Sequence, residues 1–174
     1  MQAILRDEIA AGSTVLDLGC GPGGVLSRAG LTGSTNITGV DLHEPSLEVA
    51  GRQGYRQIHR SDVITYLRSI PEGSFDVVTA FDLLEHLNRV DGLEFIDLMK
   101  RAAAKRVILL TPNGFVPQPA SADNPFQEHL TGWTLEDMNR LGSDRIYGVN
   151  GYRKLRGVYA HPTVKPELLG RVLI

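Results

Sequence analysis

The chain has 174 residues, 42% of them hydrophobic, and a formal net charge of −2. That gives one domain, residues 1–174, enough apolar material for a real core, and too little positive charge to track a nucleic-acid backbone. Cys20 is the only cysteine, so an internal disulfide is excluded and a reducing compartment is expected. No leader and no apolar run of membrane-spanning length is apparent, so the expectation is a cytoplasmic domain with no membrane partner.

Ile4, Leu5 and Ile9 predict a short amphipathic helix at the start. Val15-Leu16-Asp17-Leu18 then reads as a buried parallel strand. It breaks at once into Gly19-Cys20-Gly21-Pro22-Gly23, and a helix-compatible stretch follows over 22–29. Glycine is needed where the backbone turns with φ > 0 or where a ligand approaches the main chain closely. The N–H groups of such a loop, at a helix start, favour an anionic group. The loop is therefore read as holding a ligand, with Cys20 as a small residue in it rather than a nucleophile. Two cofactor classes use this arrangement. Gly19, Gly21 and Gly24 satisfy G-x-G-x-x-G, and Asp41 lies twenty residues past Gly21, a spacing that suits the ribose of a dinucleotide. Asp17, two places before the first glycine, instead suits a cofactor with a cationic amino-acid moiety, because a pyrophosphate would be repelled there.

Further strand-like runs fall at about 36–40, 55–59, 75–80 and 106–111, with helical stretches near 45–52, 62–69 and 91–104. This alternation predicts a parallel sheet covered by helices on both faces, with ligands beyond the carboxyl ends of the strands. Asp41 ends the second run, where its carboxylate would accept both ribose hydroxyls, and Leu42 would pack on an adenine. Asp62 and Val63 follow the third run. They are placed to read the adenine amino group and ring nitrogen, although an Asp after a strand is also a natural helix cap. The nicotinamide reading explains Asp41 but leaves Asp17 and Asp62 without a role.

Phe75-Asp76-Val77-Val78-Thr79-Ala80 leads into Phe81-Asp82-Leu83-Leu84-Glu85-His86-Leu87. Glu85 and His86 are candidate catalytic groups, since a histidine near pKa 6.5 accepts a proton from an attacking hydroxyl. The structural alternative is that both cap the helix and tie down neighbouring loops. After the fifth run, Pro117, Pro119 and Pro125 keep about twenty residues irregular, and loops of that length inside a domain are usually functional. Gln127, Glu128, His129 and Trp133 read as an acceptor-binding loop, with His129 the first candidate for a general base and a solvent-facing histidine as the alternative. Thr134 is expected to cap the helix that follows.

Asp17, Gly19, Gly21 and Gly23, in the pattern D/E-x-G-x-G-x-G, together with Phe75-Asp76-x-Val78 and Glu85-His86-Leu87, resemble the class I S-adenosylmethionine (SAM)-dependent methyltransferases of small-molecule type. The likeness covers residues 15–111. It implies an α/β, Rossmann-like three-layer αβα sandwich with a mainly parallel sheet, and SAM as cofactor. Cofactor contacts are implied at Asp17, Gly19, Cys20, Gly21, Gly23, Asp41, Leu42, Asp62 and Val63, with Ala80 and Phe81 along the methionine part and no metal. The implied reaction is methyl transfer to a hydroxyl of a small molecule or sugar. A non-catalytic SAM-binding module and an NAD-dependent oxidoreductase are the alternatives. Asn124-Pro125-Phe126 is similar to the N-P-P-Y/F motif of amino-group methyltransferases, but it follows the fifth strand rather than the fourth and lacks the second proline. The family sheet has a seventh strand returning antiparallel between the fifth and sixth. Arg145–Val149 reads as the sixth, whereas 163–173 reads as a helix begun by Pro166. The seventh strand is thus expected to be incomplete or absent, as in a C-terminally truncated chain, leaving an open edge that favours a homodimer.

Overall fold

Five parallel strands, the central ones buried along consecutive residues because both sheet faces are covered, build the centre of the molecule. The computed structural model describes residues 1–143, with the backbone of 145–148 and 170–173. In chain order the elements are α1 (Gln2–Glu8), β1 (Thr14–Leu18), α2 (Gly24–Arg28), β2 (Asn36–Asp41), α3 (Glu44–Arg52), β3 (Gln57–Arg60) and α4 (Val63–Ser69). They continue as β4 (Phe75–Phe81), α5 (Arg89–Ala102), β5 (Ala103–Leu110), α6 (Leu135–Arg140), β6 (Arg145–Gly148) and β7 (Gly170–Leu173). The sheet order is β3-β2-β1-β4-β5-β7-β6, with β1 to β5 all parallel. The order reverses between β1 and β4, so the loops leaving these two strands open the crevice in which such sheets bind ligands.

Successive side chains point to opposite faces, and each face has its own core. Leu16, Leu18, Val78, Ala80, Val107 and Leu109 pack with α4, α5 and Met138 of α6. Val15, Ile37, Val77 and Ile108 pack on the other face with Leu5 and Ile9, Leu26 and Ala50. This is the three-layer sandwich expected from the sequence. Helix α5 shows how local and tertiary signals agree. Asn88 caps it by accepting from the N–H groups of Val90 and Asp91, both at 3.0 Å. Phe95, Ile96, Met99 and Ala102 then recur at helical spacing and are fully buried.

The C-terminal expectations need correction. A seventh strand is present: β7 lies antiparallel between β5 and β6, with Val172 opposite both Leu109 and Ile146. The helix read over 163–173 is therefore a strand at 170–173, and Pro166 lies outside the described residues, as does Val149 at the end of the expected sixth strand. The reason is tertiary. The edge of β5 carries backbone N–H and C=O groups that need partners, and that demand outweighs the weak helical preference of a short segment. The edge that would have invited a second copy is filled by this chain. Among the described residues, no helix is long and apolar enough to cross a membrane.

Candidate cofactor and acceptor site

A buried network beneath the glycine loop sets its shape. Asp17 stands opposite Thr79 on β4 and Gly39 on β2 and is only 2% exposed. Its carboxylate accepts from the Tyr55 hydroxyl at 2.5 Å and from Thr79 Oγ1 at 2.7 Å. A Cβ on Gly39 would stand 2.8 Å from the Tyr55 ring, and one on Gly23 would stand 2.6 Å from it. Both glycines admit that ring. Burial pushes the Asp17 carboxyl up to about 6, while the Tyr55 and Thr79 hydrogen bonds pull it back. Asp17 and Gly23 thus support the loop from below instead of lining the cavity. Tyr55, placed by the sequence inside the third strand, precedes β3, and nothing in its local pattern signals this role.

The cavity at the strand ends has a volume of about 690 Å³, within the range of small-molecule sites. Gly19, Cys20, Gly21, Asp41, Leu42, Asp62, Val63, Phe81 and His86 line it, as the sequence suggests for these nine positions. Gly19, at φ +61, and Gly21, at φ +51, adopt the left-handed backbone the tight loop requires, and a Cβ on Gly21 would meet nothing within 4 Å. Burial and the nearby Asp17 and Asp41 push the Cys20 thiol up, so it stays protonated and unreactive. Asp41 accepts from Gly21 N and from His43 N, each at 2.8 Å, one through each oxygen. Each oxygen can accept a further hydrogen bond, enough for a pair of vicinal hydroxyls. Asp62 caps α4 by accepting from Thr65 N at 2.8 Å, so the capping role is real, and it also lines the cavity.

Ala80 is a correction: it is fully buried on the α5 face, one residue out of phase with Phe81, and does not reach the cavity. A strand exposes only one of two adjacent side chains to a given side. Past Phe81 the chain turns through Asp82, the one described non-glycine residue with positive φ, at +51. It then makes a single 3-10 turn, Leu84–His86.

Glu85, His86 and His129 come together, with ligand-type atoms within 4.8 Å of one another. The three differ in what they face. Glu85 is 2% exposed; its Oε2 accepts from Thr111 Oγ1 at 3.1 Å, while Oε1 has no partner. Burial pushes its carboxyl up to about 8, helped by the charge of Asp82 and opposed by the hydrogen bonds it accepts. Burial thus favours the neutral, protonated form of Glu85. Because this pKa is raised above the unfolded value of 4.5, its contribution to stability is complete below that value and is lost as pH rises through about 8. Between pH 7 and 9 the native chain should lose on the order of 1 kcal/mol that Glu85→Gln, which cannot ionise, retains. Urea denaturation at the two pH values measures it, and equal pH dependence in both proteins would contradict the assignment.

His86 lines the cavity and His129, the first candidate from the sequence, does not. The two rings meet edge to face at 4.8 Å. His86 Nδ1 lies 2.8 Å from the Glu128 carbonyl, and His129 Nδ1 lies 2.6 Å from the Val116 carbonyl. A carbonyl only accepts, so Nδ1 donates to it in each ring, and the Asp82 backbone also hydrogen-bonds the His86 ring. Burial lowers the His86 pKa below its usual 6.5, leaving the ring neutral at pH 7.

A strap, residues 112–134, closes the cavity from the β5 side. Asn124 to Glu128 and Leu130 line the cavity, while Trp133 does not; it is a core residue, 1% exposed. Its indole Nε1 donates to Thr131 Oγ1 at 3.0 Å and to the Leu84 carbonyl at 3.3 Å, and its ring fills the space left by the missing Cβ of Gly92. The Arg89 guanidinium stacks 4.0 Å over it and pairs with Asp137. Backbone bonds from Leu130 and Thr131 to the Glu85 carbonyl, and a 3.1 Å contact from His43 Nε2 to the Asp123 carbonyl, pin the strap near its end and at its middle. Thr134 caps α6 in a capping box with Asp137, as expected. Arg28, Asp82, Leu83, Leu87, Asn124 and Phe126 are lining residues not assigned from the sequence. All but Arg28 lie inside motifs already singled out there, without a cavity role assigned to them; Arg28 reaches the cavity only through folding.

An open parallel sheet with a glycine loop after β1, a carboxylate ending β2 and a cavity at the switch point defines a nucleoside-binding αβα domain. Its donor set fits an adenosyl cofactor carrying an amino acid, since the floor of the loop is acidic and its rim has room. The methyltransferase domain family matches residues 16–115, and the chain belongs to that family, in the class I SAM-dependent group. A mitochondrial ubiquinone biosynthesis O-methyltransferase from Candida albicans is 40% identical over 181 residues, covering 86% of this chain and 54% of that protein. A ubiquinone biosynthesis O-methyltransferase from Bordetella pertussis is 37% identical over 81 residues, covering 44% of this chain and 33% of its own length. The chain thus spans between a third and about half of the curated relatives it matches. A SAM-dependent methyltransferase from Archaeoglobus fulgidus superposes with a TM-score of 0.60 at 24% identity, over 83% of this chain and 68% of that one.

Proposed function

We propose that this chain transfers the methyl group of SAM to a hydroxyl of an apolar, small-molecule acceptor. One observation carries the reading: His86, its pKa lowered by burial, lines the same cavity as the Asp41-anchored glycine loop. When bound, SAM supplies an electrophilic methyl on a positive sulfonium, which leaves as a neutral thioether. What this chain has to do is align the acceptor for in-line attack and take up its proton. Gly19, Gly21 and Asp41 would hold the cofactor, with Leu42, Asp62 and Val63 around the adenine and Phe81 along the methionine chain. His86 would accept the proton of the attacking hydroxyl. Leu83, Leu87, Phe126 and Leu130 make the acceptor half of the cavity apolar, which favours a phenolic ring over a sugar. The names of the ubiquinone-pathway relatives agree with such an acceptor. The lone cysteine agrees with a reducing compartment such as the cytoplasm.

Calorimetric titration with S-adenosylhomocysteine tests the cofactor half. Asp41→Ala should lose about 1.5–3 kcal/mol of binding, roughly ten- to a hundredfold in Kd, while the fold by circular dichroism is unchanged. Unchanged affinity would remove Asp41 from the ribose. Release of S-adenosylhomocysteine from SAM in the presence of a simple catechol tests the acceptor half. Binding without turnover on any hydroxyl would favour a non-catalytic binding module.

A further inference from the structure

The cavity is rich in carboxylates. Asp41, Asp62, Asp82 and Glu128 all line it, and Arg28 is the only Lys or Arg among the described residues that does. Most arginines near the core are committed: Arg89 pairs with Asp137, Arg106 with Glu8, and Arg101 donates to the Leu67 carbonyl. The Arg28 side chain, among the described residues, makes no hydrogen bond or ion pair and is exposed at the rim of the cavity. It folds back along α2 so that Nη1 lies 2.6 Å from where a Cβ on Gly24 would stand. Gly24 therefore does more than turn the chain; it lets the guanidinium lie against the rim of the glycine loop.

An acidic cavity suits a ligand that is positive overall, and SAM, with a sulfonium, an ammonium and a carboxylate, is one. Its carboxylate would be repelled by the lining unless a cation met it. A planar guanidinium with unused donors matches a carboxylate through two parallel hydrogen bonds. We infer that Arg28 is the counter-ion for the amino-acid carboxylate of the cofactor, seated there by the absence of a side chain at Gly24. The inference rests on the cofactor reading given above. An acidic group on the acceptor is the competing ligand for the same cation, and the test separates the two.

The probes are S-adenosylhomocysteine, which has the carboxylate, and 5′-methylthioadenosine, which lacks the whole amino-acid moiety. Both are titrated calorimetrically into the native chain, Arg28→Gln and Gly24→Ala, without acceptor. Arg28→Gln should weaken S-adenosylhomocysteine roughly five- to thirtyfold, the effect of a charged hydrogen-bonded pair discounted for exposure, and leave 5′-methylthioadenosine within twofold. Gly24→Ala, which displaces only the far end of a flexible side chain, should show the same selective loss in smaller measure. Undiminished S-adenosylhomocysteine binding in Arg28→Gln would overturn the assignment and leave the cation to an acidic acceptor. Equal weakening of both probes would also overturn it, by showing a general effect on the loop. Failure of the native chain to bind S-adenosylhomocysteine would overturn the cofactor reading itself, and this inference with it.

Discussion

His86→Ala should lower turnover on a phenolic acceptor by about 10²–10⁴-fold, the range for a lost general base, with S-adenosylhomocysteine affinity unchanged. His129→Ala should cost much less. Its ring sits behind His86, outside the cavity, with Nδ1 fixed on the Val116 carbonyl. It acts on His86 through ring packing, so its loss should shift the pH profile more than the maximal rate. The pH dependence has a definite sign: burial lowers the His86 pKa, so the base is already deprotonated below the usual 6.5 and activity should fall only at more acidic pH. Single-turnover rates for the two variants between pH 5 and 8 decide the ranking. A larger loss in His129→Ala, or full activity in His86→Ala, would remove His86 from the proton-accepting role.

Trp133→Ala should destabilise the chain by about 3–5 kcal/mol, the usual result of truncating a fully buried tryptophan. For a domain of this size that is on the order of 10 °C in Tm. Three contacts are lost together: the indole bonds to Thr131 and the Leu84 carbonyl, the packing into the gap at Gly92, and the platform under Arg89. The same residue anchors the strap, so the acceptor side should loosen before the glycine loop does. Hydrogen exchange would show faster amides over 113–131 with protection retained over 15–41. A Tm within 2 °C of the native chain would contradict the anchoring role. In the reverse direction, a side chain at Gly92 would collide with the Trp133 ring.

The sequence by itself determined the parts whose physics is local. Gly19 and Gly21 turn the chain because only glycine enters φ > 0 freely, and Asp41 must end its strand because the apolar run stops there. The β-α alternation and the parallel sheet follow from such signals, and nine of the residues singled out in the sequence come to line the cavity. Tertiary structure decided what depends on partners distant in the chain. Asp17 shares a carboxylate pattern with Asp41 but lies under Tyr55 and Thr79, residues 38 and 62 positions away. Ala80 and Phe81 are equally plausible as neighbours, yet the phase of the pleat sends one to each face. His86 and His129 differ in exposure to the cavity only because the strap returns to the Glu85 carbonyl and Trp133 fixes where it lands. The seventh strand forms for the same reason. Four residues carry too little preference to specify a strand alone, and they become one because the edges of β5 and β6 leave backbone groups that must be paired.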